Sequence, residues 1–224
     1  MAWLQKFKQL VEEAQKRHAK PVDIEQFNHP LAGQTEWHPL KGGGANFQTH
    51  QLDSSNPDQL VFKATRFTQI FSGIFTVVGI IGLVVPLAIF FYHGAESWWL
   101  IFFALVFGGL FTAAGAMLFY YTAAPKVFDT FYNCYYVGRK KPQDTLGRNQ
   151  SGKRPVIDFN DIKAIQVLSE RISSKNGSYL SYEINLVLAD ASRINVIDHG
   201  KHEAVINDAQ MLATQLGVPF WDAS

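Results

Sequence analysis

The chain has 224 residues, a formal net charge of +1 and 47% hydrophobic residues, yet a mean hydropathy of −0.02. Near-neutral charge argues against a nucleic-acid protein, whose footprint is a basic excess. Cys134 is the only cysteine, which excludes an intrachain disulfide and disfavours a cysteine-based metal site.

Residues 1–20 read as an amphipathic N-terminal helix. Trp3, Phe7, Leu10 and Ala14 recur at helical spacing, Lys6, Lys8, Lys16 and Arg17 occupy much of the other face, and Pro21 stops the run. Trp3 and Phe7 are candidate membrane-interface anchors; docking on protein is the alternative. Lys6, Lys8, Glu12 and Glu13 break up any apolar segment of the kind a signal peptide needs.

Residues 21–66 are expected to form an irregular cytoplasmic linker, with Pro30, Pro39 and Pro57 and little periodicity. Its Lys41-Gly-Gly-Gly-Ala-Asn run is superficially phosphate-loop-like. Lys and Ser/Thr do not follow the last glycine, so a flexible turn is the expectation. Gln59–Phe67 alternates loosely, as a short strand or helix lead-in.

Residues 67–122 carry the most definite signal. Gln69–Tyr92 and Trp98–Tyr121 hold 24 residues each, without Asp, Glu, Lys, Arg or His. A helix of that length reaches roughly 36 Å, enough to cross a hydrocarbon core of about 30 Å. A transmembrane helical hairpin is predicted, with Tyr92, Trp98, Trp99, Tyr120 and Tyr121 as interface anchors. The connector lacks Lys and Arg, whereas Lys63, Arg66, Lys126 and Arg139–Lys141 flank the other side. The positive-inside bias therefore places both termini in the cytoplasm. Gly73, Gly79, Gly82, Gly108, Gly109 and Gly115 are candidate helix-packing positions, and Pro86 is expected to kink the first span. A charge-free pair of spans argues against transport.

Residues 123–224 are expected to form a cytoplasmic α+β domain, strands first and a helix last. Lys126–Phe131, Cys134–Arg139 and Val156–Phe159 are candidate strands. Asn176-Gly177, read as a two-residue hairpin loop, pairs Ile165 with Leu188 and Val167 with Leu186, and sets Glu170 opposite Glu183. A three-residue loop at Asp190–Ser192 then pairs Leu188 with Ile194. Val205, Ala209, Leu212 and Leu216 mark one face of a helix from His202 to Leu216, stopped by Gly217 and Pro219. Trp221 should close the edge of the core.

These motifs carry a resemblance. The two-span hairpin is followed by Phe128-Asp129, Tyr135-Tyr-Val-Gly-Arg-Lys-Lys-Pro142, Ser178-Tyr-Leu-Ser-Tyr-Glu-Ile-Asn-Leu-Val-Leu188, Asn195-Val-Ile-Asp-His-Gly200 and Leu216-Gly-Val-Pro-Phe-Trp221. Over about residues 60–222 the chain resembles bacterial inner-membrane proteins with a transmembrane hairpin and a C-terminal cytoplasmic PH-like domain. That resemblance implies a curved antiparallel sheet fold capped by a C-terminal helix, and brings no activity with it. It favours a lipid- or protein-binding module by analogy.

Three readings of function remain. The leading one is a non-enzymatic membrane-anchored adaptor or accessory subunit, needing no cofactor, whose partner is another integral membrane protein or a second copy. The second is an anionic-lipid sensor: Arg139, Lys140, Lys141, Arg148, Lys153 and Arg154 oppose one acid, Asp144, in a Pro/Gly/Asn-rich loop, and each basic residue near an anionic surface adds about 1 kcal/mol. A metal-dependent enzyme built on Asp198, His199 and His202 is the remote third. Side chains diverge where a strand meets a helix, and turn formation with Asp198 as a cap is the expectation there. Cys134, flanked by Tyr132, Tyr135 and Tyr136, reads as a packed strand residue rather than a nucleophile.

Overall fold

A computed structural model of the protein describes residues 22–93, 98–139, 156–174 and 177–224. The architecture is α+β and divides into two units, one combining the residues up to Phe62 with Lys126–Ser224 and the other spanning Lys63–Pro125.

The second unit is the hairpin. Helix α1 runs Arg66–His93 and α2 runs Trp98–Thr122, enclosing both expected spans. Both are strongly apolar along their length, and little of either is buried against the rest of the protein. Ile70, Ile74, Ile81 and Val84 lie exposed on α1. Each apolar Å² left in water costs about 25 cal/mol, so this surface suits hydrocarbon. The helices are long and apolar enough for a membrane, consistent with a multi-pass membrane protein.

Helix α1 continues through Pro86 as one helix. In α2 the residues Ala104–Gly108 form a π turn, which adds a residue to the turn and rotates the following face. The result lays Gly108 against Leu83: a Cβ there would come within 2.6 Å of the Leu83 amide nitrogen. Likewise, Gly115 lies against Thr76 and Gly79 against Thr112. Small residues permit this backbone approach.

In the other unit, strands β1 (His50–Asn56), β2 (Gln59–Ala64), β3 (Lys126–Asp129), β4 (Cys134–Val137) and β5 (Val156–Asp158) form one sheet in sequence order. Strands β2 and β3 are antiparallel neighbours, Leu60 opposite Phe128, although the whole hairpin lies between them in the chain. The second sheet has the order β8–β7–β6–β9, from β6 (Ile162–Ser174), β7 (Gly177–Leu188), β8 (Arg193–His199) and β9 (Phe220–Ala223). Strand β9 runs parallel to β6 and puts Trp221 beside Gln166. Four residues are too few for a period-two pattern to announce a strand.

The register of this sheet differs from expectation by two residues. Ile165 pairs with Leu186, Val167 with Ile184, and Ser174 with Gly177. On the other side, Leu186 pairs with Ile194, so that β7 and β8 are joined by residues 189–192, with Ala191 at φ +63°. A shift of two leaves every side chain on its expected face, so the hydrophobic pattern is satisfied by both registers. It does change the neighbours: Glu170 faces Ser181, not Glu183, and Glu183 instead lies beside Asp198.

One face of the second sheet builds the main core. Ile165, Val167, Ile184, Leu186 and Ile197 pack with Leu60, Phe62, Phe128 and Tyr135 of the first sheet. Helix α3, His202–Leu216, covers them with Val205, Ala209 and Leu212, all with no exposed surface. Gly217, at φ +65°, ends it in the left-handed conformation that glycine adopts without a Cβ clash. Asp198 does not cap this helix; the N-cap position is Lys201, without a side-chain cap.

The opposite face is covered by residues 22–49, part of the 21–66 stretch expected to be an irregular linker, the rest of which supplies β1 and β2. They contain two short 3₁₀ turns and otherwise extended or bent chain, but they form a strap across the sheet. Phe27 stacks on Trp37 with ring centroids 4.6 Å apart, and Trp37 lies 5.7 Å from Trp221. Ala32, Ala164, Val187 and Trp221 make a second buried cluster there.

Candidate functional site

Under the strap the sheet presents polar side chains where an apolar layer would be ordinary. Gln166 and Asn185 have no exposed surface and Glu183 is 3% exposed. Such groups persist in an interior only when hydrogen-bonded: Asn185 Nδ2 donates to Glu183 Oε1 within the sheet, and Gln166 and Glu183 bond to the strap backbone. Gln166 Nε2 donates to the Glu36 carbonyl at 3.0 Å, and Arg193 Nη1 donates to the His38 carbonyl at 2.8 Å. The Leu40 and Lys41 amides donate to the two oxygens of Glu183 at 2.9 and 3.4 Å. The Gly43 amide reaches Glu170 Oε2 at 3.0 Å, and Tyr179 donates its hydroxyl to the Gly44 carbonyl at 3.0 Å.

Burial pushes the Glu183 carboxyl above its ordinary value, against the bonds from Asn185 and Leu40 that favour the ionised form. Burial raises Asp198 as well, while Lys41 and Asn195 pull it back. Two adjacent carboxyls are thus held in a partly desolvated crevice with Lys41, Gly44, Glu170 and Ser181 on its walls. Ser181 Oγ is buried there without a hydrogen-bond partner.

A second polar chain begins at the same strap end. Thr49 Oγ1 lies 2.7 Å from the Asp198 carbonyl and 2.9 Å from His50 Nδ1. A hydroxyl has one proton, and a carbonyl can only accept, so that proton goes to Asp198; His50 Nδ1 must then donate to the hydroxyl. His50 Nε2 lies 2.7 Å from Lys126 Nζ. Burial, and next the charge of Lys41, lowers the Lys126 ammonium to about 7, with Asp198 acting in the opposite direction. No local pattern points to this pair: the two residues lie 76 positions apart.

The three residues of the remote metal reading do not converge. Asp198 accepts from Asn195 Nδ2 at 2.9 Å on the strap side. His199 is fully buried, its Nδ1 accepting from the Lys201 amide at 3.2 Å. His202 packs against Tyr182 with ring centroids 4.6 Å apart and the planes tilted by 37°, and meets Ser224 Oγ at 2.8 Å. Among the described residues no group of three or more metal-ligating side chains comes together. Cys134 is buried in β4, and burial, then Asp129 and Asp158, push its thiol up to about 11. That suppresses the reactive thiolate.

Of the basic-loop residues, Arg139 is described and exposed beyond β4; Lys140, Lys141, Arg148, Lys153 and Arg154 lie outside the described residues, as do Trp3 and Phe7. Tyr92, Trp98, Trp99, Tyr120 and Tyr121 are exposed at the ends of the two long helices. Gly79, Gly82, Gly108 and Gly115 face the α1–α2 contact, whereas a Cβ at Gly73 or Gly109 would meet open space. No protein-family model matches the chain, and no curated protein matches it.

Proposed function

We propose that the protein is a non-enzymatic, membrane-anchored adaptor or accessory subunit of a bacterial inner membrane, with both termini in the cytoplasm and a PH-like domain as its binding module. The observation that carries this reading is connectivity. The hairpin leaves from β2 and returns into β3, strands hydrogen-bonded to each other with Leu60 opposite Phe128. An anchor tied to one sheet by both its ends is a device for holding a folded domain at a membrane. Two antiparallel-rich sheets closed by a C-terminal helix support the PH-like description, and the positions of Lys63, Arg66 and Arg139 support a cytoplasmic domain. The bonding of Glu170, Glu183 and Arg193 to the protein's own strap supports a structural role for its densest polar group.

Purification of the full chain in mild detergent, followed by native mass measurement, tests the proposal. A homo-oligomer, or a second integral membrane chain in fixed stoichiometry, is expected. A bare monomer, unchanged on reconstitution with membrane extract, would count against it.

A further inference from the structure

We propose that the outer face of the first sheet is the docking site of the protein's own N-terminal segment, residues 2–19, laid across it as an amphipathic helix. The inference is independent of the adaptor reading, and it puts Trp3 and Phe7 on the domain instead of on the membrane surface.

Burial on that face carries it. The first sheet turns Leu60, Phe62, Phe128 and Tyr135 into the main core, so the alternate residues point the other way. Val61, Val127, Tyr136 and Val156 stand opposite one another in a single row across β2, β3, β4 and β5. Neighbours on a sheet face cover one another from the side and not from above, so a tyrosine in such a row keeps its ring in water unless another element lies over it. Tyr136 is only 7% exposed, Val127 5% and Cys134 4%. Among the described residues the half-buried apolar side chains clustered with them are Val61, Tyr132 and Val156, all from the same sheet or its β3–β4 turn. The face is therefore under a cover.

Composition, reach and charge select the occupant. Outside the described residues, positions 140–155 offer Leu146 as their one large apolar side chain, too little to cover four strands. Residues 2–19 carry Trp3, Leu4, Phe7, Leu10, Val11 and Ala14 on one stripe at helical spacing. Four strands side by side span about 14 Å, and a helix over residues 2–19 reaches about 27 Å. The path is short. Phe27, near the start of the strap, lies 5.8 Å from Trp221; its strand β9 pairs with β6, and β6 follows β5 after only Phe159–Asp161. The strap thus begins on the β5 side of the first sheet. The next row of the same face sets Asp129 and Asp158 on either side of Cys134. Residues 2–19 flank their stripe with Lys6, Lys8, Lys16 and Arg17 against two acids, Glu12 and Glu13, so a basic-sided helix meets an acidic rim.

Cys134 belongs to the same patch and is the chain's only thiol, which makes it a native reporter of the cover. A helix held down by Trp3, Phe7 and Leu10 uncovers the patch only by lifting those side chains into water. Labelling of Cys134 in the folded protein then follows this local opening and not global unfolding.

The full chain, reconstituted in nanodiscs of phosphatidylethanolamine and phosphatidylglycerol, tests the proposal with the photoreactive p-benzoylphenylalanine in place of Phe7. Illumination should join Phe7's position to residues 126–137 or 156–158 of the same chain, in a product that still migrates as a monomer and is located by peptide mass spectrometry. The same probe in place of Gln9, on the opposite side of a 3.6-residue helix, should give several-fold less of that product. In a second measurement Phe7→Asp, checked for an intact fold by circular dichroism, should speed maleimide labelling of Cys134 roughly tenfold, since burial of one phenylalanine is worth at least about that factor. Adducts only with lipid would mean that the segment lies in the membrane interface, and adducts only with the strap or with another chain would mean a different occupant; each overturns the proposal. Equal yields from the two probe positions, or unchanged Cys134 labelling in a folded Phe7→Asp protein, would overturn it as well. The photoreactive side chain keeps a phenyl ring at position 7, so the first measurement stands even where Phe7→Asp does not fold.

Discussion

Gly44→Ala separates a docked strap from a flexible turn by the sign of its effect. Gly44 has no left-handed backbone, so alanine is conformationally acceptable there. Its Cβ would lie 2.7 Å from Ser181 Cβ, with Ser181 Oγ nearer still. Rotating the serine hydroxyl relieves only the second contact, because Cβ stays fixed to the β7 backbone. Either the close contact is absorbed, at about 1–3 kcal/mol for overpacking, or the strap lifts. Lifting breaks the bonds from Leu40, Lys41 and Gly43 to Glu183 and Glu170, each about 1.5–3 kcal/mol for a charged acceptor. Absorbing the contact is cheaper, and a loss of about 2 kcal/mol is expected. A mobile glycine turn predicts the reverse, a gain of about 0.4–1 kcal/mol from the restricted unfolded chain. Urea unfolding of the detergent-solubilised protein, followed through the strap and sheet tryptophans Trp37 and Trp221, measures the difference. Combining Gly44→Ala with Ser181→Gly removes the clash and should recover about 1–2 kcal/mol in a double-mutant cycle. A neutral or stabilising Gly44→Ala would refute the reasoning.

Two further outcomes follow from buried groups. Burial lowers His199 from 6.5 to about 4, so the folded state resists a proton that the unfolded chain accepts; stability from this residue is complete above pH 6.5 and is lost as pH falls toward 4, by about 3 kcal/mol. The difference between wild-type and His199→Leu unfolding free energies should change by that amount between pH 7 and pH 4, and a constant difference would contradict it. In the hairpin, Gly108→Leu should weaken α1–α2 packing because the new side chain meets the Leu83 backbone, whereas Gly73→Leu should not; cross-linking of cysteines placed on the two helices reports the separation, and equal effects would discount the contact.

Legibility in the sequence tracked how local the determining forces are. The two spans, the helix from His202 to Leu216 and the faces of β6 and β7 are visible because each rests on spacing within one segment. The register of β6 on β7 was not legible, since a two-residue slide preserves both faces. The strap was missed because residues 22–49 carry no periodicity; their bonds go to side chains more than a hundred positions away, such as Glu183 from Leu40. Its visible cue was aromatics without assigned neighbours, among them Phe27 and Trp37, which stack on each other, with Trp37 approaching Trp221.

By itself, then, the sequence determined an apolar hairpin, an α+β chain and the apolar face of one sheet, because hydrophobic burial reads out as period. Only the tertiary structure decided which polar groups meet. Pairing Lys126 with His50, Glu183 with Asp198, and a glycine-rich stretch with a polar sheet face depends on chain segments brought together across the fold. Side-chain geometry of that kind leaves no repeat in the sequence, and it is there that the protein's titratable groups acquire their chemistry.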